Sequence, residues 1–201
     1  MSDHHHHAGP LTDVQVRVKA LAAVLAEKNM VQQETLDTIV EHYEKKVGPH
    51  RGARIVARAW TDPAFRDRLL KDASGAIAEM GFADFATTHV MAKENTPTVH
   101  NLVVCTLCSC YPWGVLGLPP TWYKSAPYRA RAVRDPRGLL KDFGVILGEN
   151  VEIRVWDSTA ETRYLVVPLR PDGTAGMSAD QLEKLVSRDS MIGTAVVANP
   201  G

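Results

Sequence analysis

All three cysteines of the 201-residue chain lie in one short stretch, Val104-Cys105-Thr106-Leu107-Cys108-Ser109-Cys110-Tyr111-Pro112-Trp113. Cys105 and Cys108 have the spacing at which a tight turn brings two thiolates onto one metal ion, and Cys110 adds a third sulfur. Because a single residue separates Cys108 from Cys110, the backbone nitrogens of Ser109 and Cys110 must lie close to any ion that the sulfurs hold. The stretch therefore predicts a metal site with five candidate ligands from one loop.

The residues alone leave the type of metal site open. A structural zinc site usually needs a second cysteine or histidine pair, and the chain has no second C-x-x-C. An iron–sulfur cluster normally takes four cysteines, and a disulfide framework would leave one of the three unpaired. His100 offers either a fourth ligand or a core position on the strand that precedes the loop. A three-thiolate transition-metal site fits the pattern without a second motif.

Composition excludes several functional classes. The chain is 45% hydrophobic and has 23 basic and 23 acidic residues, so its formal net charge is zero. It is long enough for a substantial core, and it lacks the positive charge that nucleic acid or an anionic membrane surface would attract. It contains no apolar run of about 18 residues and no apolar stretch typical of a signal peptide near residue 1. We therefore expect a cytoplasmic protein with no nucleic-acid or membrane partner.

The first part of the chain is predicted to be helical. Residues 1–10 include four of the eight histidines and are typical of a disordered tail, although such a tract could also gather metal. Apolar residues at helical spacing predict helices over 12–28, ending at Asn29, and over 33–46. These two amphipathic helices form an arm that needs a partner surface. A further helix begins at Pro63, with Asp62 as its N-cap, and is expected to reach Met80 with an interruption near Ser74-Gly75.

Beyond about residue 82 the spacing of the apolar residues changes from that of helices to that of strands. Alternating or continuous apolar runs predict strands over residues 100–104, 151–157 and 163–169. A helix is expected over 136–143, and Ser178 with Gln181 forms a capping box before another. This order predicts an α+β or layered α/β fold. We divide the chain into a His-rich tail (1–10), a helical arm with further helices (11–82) and a metal-binding domain (83–201).

The cysteine stretch from Val103 to Trp113, with its continuation from Leu116 to Lys124, resembles the metal segment of the nitrile hydratase α subunit. Other segments resemble the family in the same order along nearly the whole chain: Tyr43-Glu44, Val47-Gly48-Pro49, Ala59 to Pro63, Arg154 to Ser158 and Arg188 to Gly193. The resemblance implies an N-terminal helical arm followed by a globular domain layered α-β-β-α. It also implies a hydro-lyase that adds water to a nitrile and releases an amide.

The resemblance further implies the metal and its ligands. Threonine at position 106 resembles the residue that the cobalt branch of the family has there. The resemblance therefore favours one non-corrin Co(III) per chain over iron. Cys105, Cys108 and Cys110 would supply sulfur, the backbone nitrogens of Ser109 and Cys110 would complete a basal plane, and a sixth position would stay open. Cys108 would be oxidised to cysteine sulfinic acid and Cys110 to cysteine sulfenic acid, as expected of metal-bound thiolates beside an open position.

Roles for individual residues follow from the same resemblance. The expected catalytic residues are Cys110, Cys108 and Ser109, and either a hydroxide on the metal or the Cys110 sulfenate would attack the nitrile. Residues expected around the metal loop are the substrate-pocket Trp113 and the supporting Asp157, Glu161 and Arg163. Two positions depart from the family pattern: Gly114 follows Trp113 where a proline is usual, and Ala86 stands where a hydrogen-bonding side chain is expected.

The resemblance implies partners as well. A nitrile hydratase β subunit would pair with this chain as αβ or (αβ)2 and bring arginines to the oxidised cysteines, and an activator protein would deliver cobalt. Two alternatives remain at this stage. One is a subunit similar to thiocyanate hydrolase γ, which has the same loop, and the other is a cobalt-binding or delivery module.

Overall fold

The computed structural model describes residues 13–42, 47–82 and 89–200. They form two compact units, one before and one after the boundary between residues 42 and 43. The predicted tail 1–10 and the position of Ala86 lie outside the described residues, and the division into ranges 1–10, 11–82 and 83–201 stays a prediction. No helix in the described ranges is both long and apolar enough to cross a membrane.

The first unit is a pair of helices, α1 (Asp13–Glu27) and α2 (Gln33–Glu41). Helix α1 ends just before Asn29, as the sequence predicts. Asn29 has the left-handed conformation, with φ of 54°, which asparagine tolerates better than most residues. Neither helix has a buried residue. The exposed apolar side chains of the pair are Val14, Val16, Val18, Leu21, Val24, Met30, Leu36, Ile39 and Val40. The two helices therefore do not bury their apolar stripe against each other.

The second unit begins with α3 (Pro49–Thr61), α4 (Pro63–Lys71) and α5 (Ala73–Glu79). The Asp62 side chain caps α4 by accepting a hydrogen bond from Phe65 N at 2.9 Å, as predicted. The single helix expected from Pro63 to Met80 is broken at Asp72, two residues earlier than the interruption predicted near Ser74-Gly75. The reason is a second cap, because the Asp72 carboxylate accepts a hydrogen bond from Gly75 N at 3.0 Å and starts α5.

Within the described ranges, four strands form two small parallel sheets. Strand β1 (His89–Glu94) pairs with β4 (Thr162–Val167), and β2 (Val99–Val104) pairs with β3 (Glu152–Asp157). The three predicted strands are present within two residues of their expected ends, and β1 was not predicted.

The remaining elements are short. They are α6 (Trp113–Leu116), a 3₁₀ helix (Thr121–Lys124), α7 (Ala126–Arg134), α8 (Pro136–Asp142), α9 (Ala179–Glu183) and α10 (Arg188–Ile192). Helices α4 and α5 cover β1, the two sheets pack on each other through β2 and β4, and α7 and α8 cover β2 and β3. This is the expected α-β-β-α layering. The core between the layers includes the fully buried Phe65, Leu69, Leu102, Leu140 and Leu165.

A close backbone contact fixes the C-terminal segment against β2. Gly193 ends α10 with φ of 93°, and a Cβ atom placed there would lie 2.0 Å from the Asn101 carbonyl oxygen. His100 Nε2 donates a hydrogen bond to the Gly193 carbonyl at 2.7 Å. Only glycine satisfies both the left-handed conformation and this approach to the strand.

We predict that Gly193→Ala destabilises the chain by about 2–5 kcal/mol, because alanine adds a left-handed penalty and a steric clash with Asn101. Gly144→Ala is the matched control, since Gly144 also has positive φ (80°), but a Cβ atom placed there would meet nothing beyond its chain neighbours within 4 Å. The control should lose only about 1–2 kcal/mol. Urea unfolding followed by circular dichroism measures both, and equal losses would contradict the role assigned to the contact.

Candidate metal centre

The cysteine loop begins where β2 ends, after Val104, and ends where α6 begins, at Trp113. Cys108 Sγ lies 3.4 Å from Cys105 Sγ and 3.0 Å from Cys110 Sγ. All three sulfurs lie within 4.8 Å of one another. One metal ion can therefore contact all three, as the spacing in the sequence predicts.

Burial differs among the three sulfurs. Cys105 and Cys110 are buried, whereas Cys108 is exposed. Hydrogen bonds from Cys110 and Cys105 lower the pKa of Cys108 to about 7, and the backbone N–H groups of Ser109 and Cys110 contribute to the same shift. Burial raises the pKa of Cys110 to about 12, and the hydrogen bond with Cys108 adds to this effect. The exposed Cys108 sulfur thus loses its proton before the buried Cys110 sulfur, and the thiolate is the form that binds metal.

The effect of the Ser109 and Cys110 N–H groups on Cys108 also bears on the predicted backbone ligands. Both N–H groups favour the charged form of the Cys108 sulfur. Cys108 N in turn donates a hydrogen bond to Cys105 Sγ at 3.2 Å. Ligation of a metal by the backbone nitrogens of Ser109 and Cys110 stays a prediction. The three converging sulfurs by themselves fit a transition-metal ion.

The Asp157 carboxylate, at the end of β3, holds the start of the loop. It accepts one hydrogen bond from Thr106 N at 2.9 Å and another from Thr106 Oγ1 at 2.5 Å. Val104 and Asp157 are register partners, and Ser158 N donates to the Val104 carbonyl at 2.7 Å. The parallel pairing of β2 with β3 thus brings Asp157 to the loop across 51 residues of sequence.

Two buried tyrosines donate hydrogen bonds to backbone carbonyls, one in strand β2 and one in the cysteine loop. Tyr128 Oη donates to the Val103 carbonyl at 2.6 Å, and Tyr123 Oη donates to the Cys110 carbonyl at 2.9 Å. Their rings pack on each other and on Trp122, with ring centres 4.9–6.2 Å apart. Neither tyrosine was predicted from the sequence to lie beside the loop. Their only signal is that both follow the loop closely, which does not reveal where their hydroxyl groups point.

The other predicted site residues differ in their exposure and in their influence on the sulfurs. Arg163 lies close enough for its charge to lower the pKa of Cys110, and its Nη1 is buried without a hydrogen-bond partner in the described ranges. Trp113 begins α6 with 38% of its surface exposed. Glu161 is exposed, and no described residue hydrogen-bonds to its side chain. The site roles of these three residues stay predictions.

His100 is a core residue and not a fourth ligand. Its side chain is buried on β2, its Nε2 donates to the Gly193 carbonyl, and its Nδ1 faces Asn95 Nδ2 at 3.4 Å. Burial lowers the pKa of His100, which keeps the ring neutral. Gly114 is the residue that stands where the family pattern usually has a proline. Its carbonyl accepts a hydrogen bond from Arg51 Nη1 at 3.4 Å.

Comparison with known proteins agrees with this site. The family described as "Nitrile hydratase, alpha chain" matches residues 12–195. The chain is 54% identical over 188 residues to the low-molecular weight cobalt-containing nitrile hydratase subunit alpha of Rhodococcus rhodochrous, a match that covers 94% of this chain and 91% of that subunit.

A double mutant of the Fe-type nitrile hydratase from Comamonas testosteroni Ni1 has a similar structure, with a TM-score of 0.86 and 39% identity over 96% of this chain and 97% of that one. The thiocyanate hydrolase subunit gamma of Thiobacillus thioparus is more distant, with 39% identity over 92% of this chain and 81% of that subunit. The match over almost the whole sequence and the three converging sulfurs lead to one conclusion. The chain belongs to the nitrile hydratase α-chain family.

Proposed function

We propose that this chain is the α subunit of a cobalt nitrile hydratase, which converts a nitrile and water into an amide. The observation that carries the proposal is the convergence of three cysteine sulfurs within 4.8 Å in a chain so similar to a cobalt-containing α subunit. When bound, the metal would act as a Lewis acid that polarises the nitrile or activates water.

The chemistry of the donors favours cobalt. Cys105, Cys108 and Cys110 offer three soft anionic sulfurs, and deprotonated amide nitrogens of Ser109 and Cys110 would add two strong anionic donors. Such a set suits a trivalent ion better than divalent zinc, which has no need of amide ligands. The relative in Rhodococcus rhodochrous is named as cobalt-containing, which supports the same choice.

Oxidation of two cysteines completes the proposed centre. Cys108 is exposed and its pKa is lowered to about 7, so an oxidant such as dioxygen reaches a sulfur that is partly thiolate at neutral pH, which supports its conversion to sulfinic acid. Cys110 would become sulfenic acid, and its oxygen would act on the nitrile or on the attacking water. Arg163 has a buried Nη1 without an acceptor in the described ranges, which suits an anionic oxygen on Cys110.

Other residues would orient the substrate and the loop. The half-exposed indole of Trp113 would form a wall of the nitrile pocket beside the loop. Asp157 would hold the loop through Thr106, and Glu161 would support the same region through contacts made in the complete enzyme. Residues of both subunits would decide which nitriles the enzyme accepts.

A β subunit is the proposed partner, in an αβ or (αβ)2 assembly within the cytoplasm. The exposed apolar stripe of α1 and α2 supports a large protein interface. Oxidised Cys108 and Cys110 would carry anionic oxygens, and arginines of the β subunit would offset the cost of burying them. Loading of the loop by a cobalt activator protein is part of the same proposal.

We predict that Cys108→Ser and Cys110→Ser each reduce nitrile hydration below about a tenth of the parent rate and remove most of the cobalt, because a hydroxyl is a poor ligand for this site. The parent and variants are co-expressed with a β subunit and cobalt, then measured for amide formation and for metal content. Intact mass should show added oxygen on the parent cysteine peptide. Carbonyl sulfide release from thiocyanate, with no amide formed, would instead support the thiocyanate hydrolase alternative.

A second prediction tests whether the site depends on the hydroxyl group or on the methyl group of Thr106. Thr106→Ser keeps the hydrogen bond to Asp157, so cobalt content and turnover should stay within about threefold of the parent. Thr106→Val keeps the shape but loses the hydroxyl, and Asp157→Asn loses the charge, so each should reduce cobalt content or turnover by about 10–100-fold. Equal activity of the serine and valine variants would contradict the role given to the hydroxyl.

A third prediction concerns the partner. The isolated chain, loaded with cobalt and with its cysteines oxidised, should be inactive and should associate, because its apolar arm and the oxidised cysteines lack their cover. Amide formation and light scattering test both expectations. Turnover equal to that of the co-expressed complex would contradict the need for a β subunit, whereas stoichiometric cobalt binding without turnover in the complete complex would favour a metal-delivery role.

A further inference from the structure

Tyr123 makes a hydrogen bond to the backbone of Cys110, which would supply two ligand atoms to the proposed metal centre. Its hydroxyl donates to the carbonyl oxygen of Cys110 at 2.9 Å. In the part of the chain that the structure describes, no other hydrogen bond to this carbonyl is present. Cys110 would supply both its sulfur and its backbone nitrogen to the metal, so the orientation of its Cα decides whether the two can face the ion together.

The position of Tyr123 is rigid. Its side chain is fully buried, and its ring meets the Tyr111 ring edge to face, with centres 5.2 Å apart and planes at 68°. Trp122 and Tyr128 contact the same ring. A donor held in this way fixes the direction of the Cys110 carbonyl and therefore of the substituents on its Cα.

We propose that Tyr123 is a positioning residue that orients Cys110 so that its sulfur and its backbone nitrogen face the metal. The inference rests on the proposed function for the identity of the metal. Tyr123 does not touch the reacting atoms, and its effect passes through the carbonyl of Cys110. Loss of the hydroxyl alone should therefore weaken the binding of cobalt and disturb its ligand field.

Tyr128 supplies the matched control. Its hydroxyl is likewise buried and donates to a backbone carbonyl, at 2.6 Å, but the acceptor is Val103. Val103 lies inside β2 and is already fixed by its register with Trp156 on β3. Loss of the Tyr128 hydroxyl therefore removes a comparable buried hydrogen bond without freeing a metal ligand.

The experiment compares Tyr123→Phe with Tyr128→Phe in the co-expressed αβ complex. Cobalt affinity is measured on the reduced, metal-free complex by competition with a chromophoric chelator, and the sulfur-to-cobalt charge-transfer absorption is recorded on the loaded complex. Thermal midpoints are measured in parallel. We expect about tenfold weaker cobalt binding and a shifted absorption band for Tyr123→Phe, with binding within about threefold of the parent for Tyr128→Phe. Parent-like binding in Tyr123→Phe, or equal weakening in both variants, would overturn the proposal.

A second variant keeps the test decisive if Tyr123→Phe does not fold. Site-specific 3,5-difluorotyrosine at position 123 keeps the ring and the hydroxyl but makes it a stronger donor, so the charge-transfer band should shift. The same replacement at position 128 should leave the band unchanged, and a shift at both positions or at neither would overturn the proposal. A parent complex that binds cobalt but forms no amide would refute the proposed function and leave this comparison intact.

Discussion

The parallel pairing of β2 with β3 is the constraint on which the site depends. Both strands end at the same register pair, Val104 and Asp157, so the cysteine loop and its carboxylate anchor leave the sheet at one edge. A shift of register by one residue would move Asp157 away from Thr106 and turn the strand faces over. The buried side chains of β2, including Leu102 and Val104, make such a shift costly. Ordinary core packing thus fixes the geometry of the metal loop.

The loop is held from two directions by different kinds of interaction. Asp157 binds the backbone and hydroxyl of Thr106 on the exposed side, while Tyr123 binds the Cys110 carbonyl from the buried side. The first interaction is charge-assisted, and the second is a neutral hydrogen bond within an aromatic cluster. Because a buried donor without an acceptor costs about 1–3 kcal/mol, the tyrosine and the carbonyl stabilise each other's position.

Local signals explain what the sequence predicts correctly. Asp62 before Pro63, the left-handed Asn29 and the Ser178 capping box each act within one helical turn, and each is present in the structure. Strand β1 was missed because its Met91-Ala92-Lys93-Glu94 run consists of residues that favour helices, and only pairing with β4 makes it a strand. The tyrosine hydroxyl bonds were missed for a similar reason. Their direction depends on how the segment after the loop folds back on the sheet, which periodicity does not encode.

A second subunit would explain why both the helical arm and Cys108 are exposed. Apolar side chains along α1 and α2 lose their contact with water only when another surface covers them, and this burial would contribute a large part of the association free energy. The loop stays open at Cys108 in the single chain, so metal and oxidant can reach it. If its sulfurs are oxidised as proposed, the same opening would expose anionic groups to any cationic surface that approaches. Apolar burial at the arm and charge pairing at the loop would then favour the same partner.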